Sequence, residues 1–576
     1  MKIVLATLNA KYTHHSLALR YLRAYCRPAF PRLVVREFNI NQQLDLILSE
    51  LVDENPDVVG FSCYIWNIEQ TLVLTSDLKK VLPSVKVILG GPEVSYDAEA
   101  LLGSNPNIDY IIAGEGEEPL LRLLDVLENS AHPTGEELER VPSLVFRAEG
   151  RIAANPQITM NLDNIPSPYL SDLDELENKI VYYEASRGCP FRCQYCLSSR
   201  TGAVRYFPLD QVKADLERLA SLGVDQIRFV DRTFNCNPKR ALELIEFMSG
   251  LDTATRFQLE IGGDLLTEEM IQVLEKAPAN RFQFEIGVQS TNLATLNEIG
   301  RTTDLEKLAV NCRKLRERTK VRFLLDLIAG LPEESYERFG HSFDFVYNLE
   351  PTKIQLGFLK LLKGSRLRER ASEFGCRFTG RAPYEVLQTN AISYPELAFL
   401  KVIEELVECY YNSGRFKSTL DYLIARDHER PFRFFEFLAQ KWKASSLHLV
   451  SHSLPTLYRL LWELAGRQDP VLLNYLRFDF RAHERKQATP GWMQGKPANE
   501  LKRRMLRDGT VFRYLPHLAT RMLAPRELGR LFAVELFDFK VYPWQARPER
   551  QMQILIFDYS RDDRIGVYDA TPQEHR

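Results

Sequence analysis

Nine cysteines occur in this chain of 576 residues, and three of them, Cys189, Cys193 and Cys196, fall within eight positions. The segment reads Ser186-Arg187-Gly188-Cys189-Pro190-Phe191-Arg192-Cys193-Gln194-Tyr195-Cys196, a C-x3-C-x2-C spacing just after an apolar run. Three thiolates this close can converge on one inorganic centre from a single short loop. They would satisfy three irons of a cubane and leave the fourth open to a bidentate ligand. Gly188 and Pro190 suit a loop that must wrap tightly. Structural zinc is the competing reading, but it wants a fourth Cys or His, and no His lies between His132 and His341. The other cysteines, Cys26, Cys63, Cys236, Cys312, Cys376 and Cys409, are scattered. They do not resemble the disulfide framework of a small secreted domain.

The elements that must position this loop follow from periodicity. Residues 1–130 alternate short apolar runs (KIVLATL, RLVVREF, DVVGFSC, VKVILGG, IDYIIAG) with helix-length stretches such as SLALRYLRAY and NIEQTLVLTSDLKKVL. Continuous apolar runs are what parallel strands covered on both faces require. The expectation is a doubly wound, flavodoxin-like (Rossmann-type) sheet that binds ligand beyond the carboxyl ends of its strands. Residues 131–177, rich in Pro, Asn and Asp, read as a linker. A second βα series spans 178–370, with strands KIVYYEAS, QIRFVD, RFQLEIG, RFQFEIGV, VRFLLDLIAG and KIQLGFLKLL. Val212, Leu216 and Leu219 share a helical face that ends before Gly223, and Asn237-Pro238 opens another helix. Six such units predict a partial or closed β/α barrel with its site at the carboxyl ends of the strands. Residues 385–576 read as a mostly helical α+β domain carrying no assignable motif.

Composition narrows the class. Hydrophobic residues make up 45% and charged residues 26%, with a net charge of −3, which argues against a general polyanion binder. The basic run 481–507 reads as a solvated helical face, because no aromatic stacking pattern accompanies it, so nucleic acid is not an expected partner. No apolar stretch approaches the roughly 18 residues of a membrane span, and the amino-terminal run is too short for a signal segment. The expected location is cytoplasmic, without a membrane partner.

The cysteine triplet at the head of a six-unit β/α series resembles the radical S-adenosylmethionine (SAM) superfamily, down to the aromatic Tyr195 before the last cysteine. The resemblance covers roughly 178–365. It implies a [4Fe-4S] cluster on Cys189, Cys193 and Cys196, with SAM chelating the open iron. By the same resemblance Asp231, in Phe229-Val230-Asp231, lies where the SAM amino group is contacted. Relatives often carry a second acidic residue next, where this chain has Arg232. Glu285, Gly287, Gln289 and Ser290 match the fourth-strand pattern, and Arg301 stands where relatives keep a basic residue for the SAM carboxylate. Ile328 and Gly330, within DLIAGLP, correspond to the segment packing against adenine.

A flavodoxin-like domain ahead of such a barrel resembles the cobalamin-binding domain of one branch of that superfamily. The matching loops carry Ser62, Gly90-Gly91 and Gly114-Glu115, whose small residues would admit the nucleotide tail of a corrinoid. One departure stands out. Domains that ligate cobalt carry D-x-H-x-x-G after the first strand, whereas the overlay here puts Thr13 at the histidine position and leaves His14 and His15 beside it. The resemblance implies reductive SAM cleavage and, with cobalamin, methylation or another transformation of an unactivated carbon. The substrate would be a small molecule or natural product, and an external one-electron reductant of flavodoxin or ferredoxin type would be needed. Ring formation or rearrangement on the same framework is the alternative. A tRNA methylthiotransferase is disfavoured, because it needs three further cysteines in the first domain and only Cys26 and Cys63 are there. A non-catalytic corrinoid- or SAM-binding regulator is the reading from a different class.

Overall fold

The computed structural model describes residues 1–572, apart from 177–178, 428–429, 486–487, 522 and 562–564. They group into two compact units, one of residues 1–339, 349–351 and 356–397, the other of 340–348, 352–355 and 398 onward.

The first unit begins with β1 (Ile3–Asn9), α1 (Leu17–Cys26), β2 (Val34–Asn39), α2 (Leu44–Asp53), β3 (Val58–Ser62), α3 (Ile68–Val81), β4 (Lys86–Gly90), α4 (Ala98–Ser104), β5 (Tyr110–Ile112) and α5 (Glu117–Asn129). The strands lie in the order β2-β1-β3-β4-β5, all parallel, which is the flavodoxin order. Because successive side chains of a strand point to opposite faces, β1 feeds two cores. Val4, Ala6 and Leu8 pack with Ile47, Leu51, Leu74 and Leu78 on one side. Ile3 and Leu5 pack with Leu19, Leu120, Leu123 and Leu124 on the other. The segment expected as a linker instead extends this sheet. After the short α6 (Gly135–Glu139), β6 (Leu144–Ala148) pairs antiparallel with β5, and β7 (Arg151–Ala154) with β6. Loop-like composition hid two short strands whose Leu144, Val145 and Phe146 are buried.

A second sheet follows. Its elements are β8 (Val181–Tyr183), the two-residue strands β9 (Ser186–Arg187) and β10 (Arg205–Tyr206), α7 (Leu209–Ser221), β11 (Gln226–Phe229), α8 (Pro238–Gly250), β12 (Arg256–Ile261), α9 (Glu268–Lys276), β13 (Phe282–Gln289), α10 (Leu293–Glu298), α11 (Leu305–Arg318), β14 (Arg322–Ala329), α12 (Tyr336–Asn348) and β15 (Lys353–Phe358). The six strands run β8-β11-β12-β13-β14-β15 in chain order, so this is a partial barrel with two edges. Helix signals match the sequence. Val212, Leu216 and Leu219 are fully buried on α7, Gly223 has φ +71°, and Asn237 caps α8 by accepting the Arg240 amide.

The second unit includes the helices Lys417–Asp427, Pro431–Ala444, Leu454–Gly466 and Pro470–His483 and ends in three antiparallel strands, Phe532–Phe537, Gln553–Asp558 and Gly566–Asp569. It also takes most of α12, so its boundary is not a single cut near residue 385. Among the described residues, no helix is long and apolar enough to cross a membrane.

Candidate functional site

The cysteine loop leaves β8 at the carboxyl end of the second sheet. Asp231, two residues beyond β11, accepts from the Ala185 amide at 2.9 Å and from the Ser186 hydroxyl. Both of its oxygens are thus spent on the start of the loop, and burial raises its carboxyl to about 6. The sequence marked Asp231 as a contact for the SAM amino group; in the structure it also anchors the start of the loop. Gly188 follows with φ +99°, and a Cβ there would lie 2.8 Å from the Ala203 carbonyl oxygen, so only glycine fits. Farther along, Gln194 ties the loop to the end of α10, its amide donating to the Ile299 carbonyl and its side chain to the Glu298 carbonyl.

The three thiols have different neighbours. Cys189 Sγ lies 3.8 Å from the Thr233 hydroxyl, and burial raises its thiol. Cys193 is buried, with Arg301 Nη1 3.8 Å from its sulfur. The Cys196 amide donates to the Cys193 carbonyl, which closes the turn between them. Tyr195 is half-buried, its hydroxyl raised by desolvation against the opposing pull of Arg301. Among the described residues no three His, Cys, Asp or Glu side chains form a single-ion cage. A cubane asks for something different, because it takes its thiolates at separate iron corners rather than around one ion.

Beside the loop opens a polar cavity of about 150 Å³. Its walls include Phe191 of the cysteine loop and Thr233, together with Glu260, Glu285, Gln289, Arg301 and Asp326 from β12 to β14 and the turn after α10. Gln289 carries the clearest signs of a ligand site. It is held at φ +69°, where the β13–β14 register slips, and its side-chain oxygen is buried without a partner. Arg301 Nε and Asp326 Oδ1 are likewise buried and unpartnered, while Arg301 Nη2 donates to the Gly287 carbonyl. Buried polar atoms seldom go unmatched, so three on one cavity wall mark space for a polar guest. The cavity also concentrates negative charge. Desolvation raises Glu260 to about 7 and Asp326 well above the usual carboxylate range, with Glu285 adding to both.

Not every expected residue reaches this cavity. Glu285, Gln289 and Arg301 line it. Ser290 is buried behind it, its hydroxyl donating to Glu334. Gly330 has φ +86° and packs under Val386, and neither it nor Ile328 is on the cavity wall. Glu260, Asp264, Thr302 and Thr303 line the wall and were not singled out from sequence. The available signal was an acidic residue inside the apolar strand RFQLEIG.

In the first sheet, Ser62, Gly90, Gly91, Gly114 and Glu115 all fall at the carboxyl ends of β3, β4 and β5. A Cβ on Gly91, at φ +103°, would sit 2.6 Å from the Cys63 carbonyl oxygen, whereas Gly90 has room. The rim loops after β1, β4 and β5 are fastened to the second sheet's region. His15 is buried, with Nε2 3.2 Å from the Tyr169 hydroxyl and 3.4 Å from the Tyr182 amide, and burial lowers it to about 3, so it is neutral. Glu93, after Gly91, accepts from the Tyr384 hydroxyl and faces Lys363 at 3.4 Å. Glu115 pairs with Arg205 and accepts the Met160 amide at 2.8 Å, so this carboxylate clamps structure rather than standing free for a ligand. His14 bridges to Ile180 and packs edge-on against Tyr182.

A flavodoxin-order sheet and a partial β/α barrel, joined rim to rim around a cysteine loop, define an α/β protein built to hold two cofactor-sized guests. Comparison with known proteins names the modules. Residues 3–124 match the B12 binding domain, 183–346 the radical SAM superfamily, and 372–557 a protein family of unknown function (DUF4080). The chain therefore carries a B12-binding domain followed by a radical SAM domain. It is 26% identical over 330 residues to an uncharacterized methyltransferase of Pyrococcus horikoshii, covering 55% of this chain and 70% of that one. It is 25% identical over 374 residues to the cobalamin-dependent radical SAM methyltransferase TokK of Streptomyces tokunonensis, covering 59% of this chain and 52% of TokK. The fold is similar to the cobalamin-dependent SAM radical enzyme OxsB, with TM-score 0.60, 16% identity and coverage of 89% and 80%.

Proposed function

We propose that this protein is a cobalamin-dependent radical SAM enzyme that methylates an unactivated carbon of a small molecule. Cys189, Cys193 and Cys196 would hold a [4Fe-4S] cluster, and the rim of the first sheet, at Ser62, Gly90, Gly91 and Gly114, would hold cobalamin. Bound together, cluster, SAM and cobalamin supply a carbon radical and a methyl donor. The protein's own part is placement. Asp231 and Gly188 aim the cysteine loop, while Arg301 stands between the Cys193 sulfur and the cavity. Gln289, Arg301 and Asp326 offer unpartnered polar atoms to the amino acid end of SAM. The observation that carries the reading is this adjacency: the buried unmatched atoms and the cysteine loop border one cavity, with Phe191 contributing to both.

Two further features bear on the alternatives. Cys26 and Cys63 are buried in opposite cores of the first sheet, so they cannot share a second cluster of the kind methylthiolation requires. An external one-electron reductant and a cytoplasmic setting complete the proposal, with no role for nucleic acid. The test is anaerobic reconstitution of the full chain with iron, sulfide and cobalamin, followed by addition of SAM and a low-potential reductant. Cluster absorbance with release of 5′-deoxyadenosine is expected. A protein loaded with zinc, or one that holds iron but never cleaves SAM, would overturn the reading.

A further inference from the structure

Among the ion pairs joining the two modules, one set gathers on the residue beside the cluster loop. Arg187 lies two positions before Cys189, on β9. Its Nη2 is 2.6 Å from Glu117, its Nε 3.0 Å from Glu184, and its Nη1 3.8 Å from Glu115. The guanidinium carbon sits 5.3 Å from the Tyr21 ring and 5.7 Å from the Phe207 ring, which stack on each other. Side-chain exposure is 12% for Arg187 and 5% for Glu117, so water does little to loosen the pair.

Two modules could be held together as firmly by apolar contacts, since burying ions is costly and often gives no net stability. What a planar fork donating to two carboxylates, with a third 3.8 Å away, adds is a fixed direction. Glu117 is the first residue of α5, and Gly114, Glu115 and Gly116 form the rim loop just before it. On the other side, Ser186 is pinned by Asp231, and Gly188 is locked against Ala203. Between the rim of the first sheet and the first cysteine, Arg187 is the connector on the cysteine strand itself, beside the Glu115–Arg205 pair on the strand next to it.

We propose that Arg187 is a positioning residue that couples occupancy of the first module's rim to retention of the cluster by the cysteine loop. This rests on the two-cofactor reading above. A cobalamin that orders the β5–α5 loop fixes Glu117, Glu117 fixes Arg187, and Arg187 holds the loop in its ligating shape. Linkage makes the effect reciprocal, so the cluster also tightens cobalamin binding.

The experiment uses the reconstituted full chain and follows chelator-driven iron loss by the visible absorbance, with and without saturating hydroxocobalamin. In the wild type, cobalamin should lengthen the half-time about 5-fold or more, the lower end of typical coupling. In Arg187→Lys, which keeps the charge but loses the fork, the ratio should fall to about 1–2. Glu117→Gln, made in the other module, should do the same if the arginine variant fails to fold. A merely structural role would shorten both half-times equally and leave the ratio at its wild-type value; that result overturns the coupling. So does a wild-type ratio of one with both cofactors bound. A wild type that takes up no cluster or no cobalamin instead sinks the two-cofactor reading itself, and the coupling with it.

Discussion

The two parallel sheets of the first unit treat charge in opposite ways. In the first, the strands other than β2, which carries Arg36 and Glu37, are mostly apolar, and further ionic groups sit in the rim loops, where Glu93, Glu115 and Glu117 meet Lys363, Arg205 and Arg187. In the second, charge sits on the strands, with Arg228 on β11, Glu260 on β12, Glu285 on β13 and Asp326 on β14. The first rim thus presents backbone and glycine to its guest, as suits a large ligand needing close approach. The second presents desolvated side chains, and burial weakens the acidity of Glu260 and Asp326.

That contrast can be broken most severely at the cysteines. Replacing Cys189, Cys193 and Cys196 together by Ala should abolish iron–sulfur absorbance and deoxyadenosine formation, while a retained corrinoid spectrum would show the first rim standing independently. Gly91→Ala should do the converse. Its Cβ would collide with the Cys63 carbonyl oxygen at a positive φ, costing roughly 1–3 kcal/mol in that loop. Cobalamin retention on gel filtration should fall at least tenfold while iron content holds. Asp231→Asn replaces an acceptor of two donors by an amide that must turn one of them away, a loss of about 1–3 kcal/mol. A lower melting temperature and reduced iron loading would be measured, with cobalamin uptake unaffected. Gln289→Ala removes an unpartnered acceptor from the cavity wall, so SAM affinity should weaken about tenfold, the worth of roughly one hydrogen bond, with the melting temperature little changed.

The smallest effect sharpens the contrast through pH. Glu260 titrates near 7 in the folded chain against an ordinary 4.5. The native state therefore holds a proton that the unfolded chain has released across that window, and wild-type stability declines as pH rises through it. Glu260→Gln escapes that decline. Its melting temperature relative to wild type should be unchanged at the acid end and higher at pH 8. A difference independent of pH would mean that the carboxyl is solvated.

Local pattern made much of this legible. The cysteine spacing, the apolar runs of β1 to β5, and the caps at Asn237 and Gly223 each report a short-range requirement visible in neighbouring residues. The match to EIGVQS found Glu285 and Gln289, and both line the cavity. What escaped was long-range. Nothing near Asp231 in sequence discloses that Ala185 and Ser186 come to it from 46 and 45 residues away and absorb its hydrogen bonds. Glu260 looks like any acidic residue on a strand until its neighbours are known, and in 144–154 the hairpin signal is confined to the Glu149-Gly150 turn, both residues at positive φ.

By itself, the sequence determined the two βα series, the loop with three thiols, and the glycines that permit tight rims, because these depend on residue type and on spacing along the chain. Only the tertiary structure decided which carboxylates serve as anchors and which face a cavity, and that Arg187 joins one module to the other. The reason is physical: burial and hydrogen-bond satisfaction are properties of a packed environment, and that environment is assembled from residues far apart in the chain.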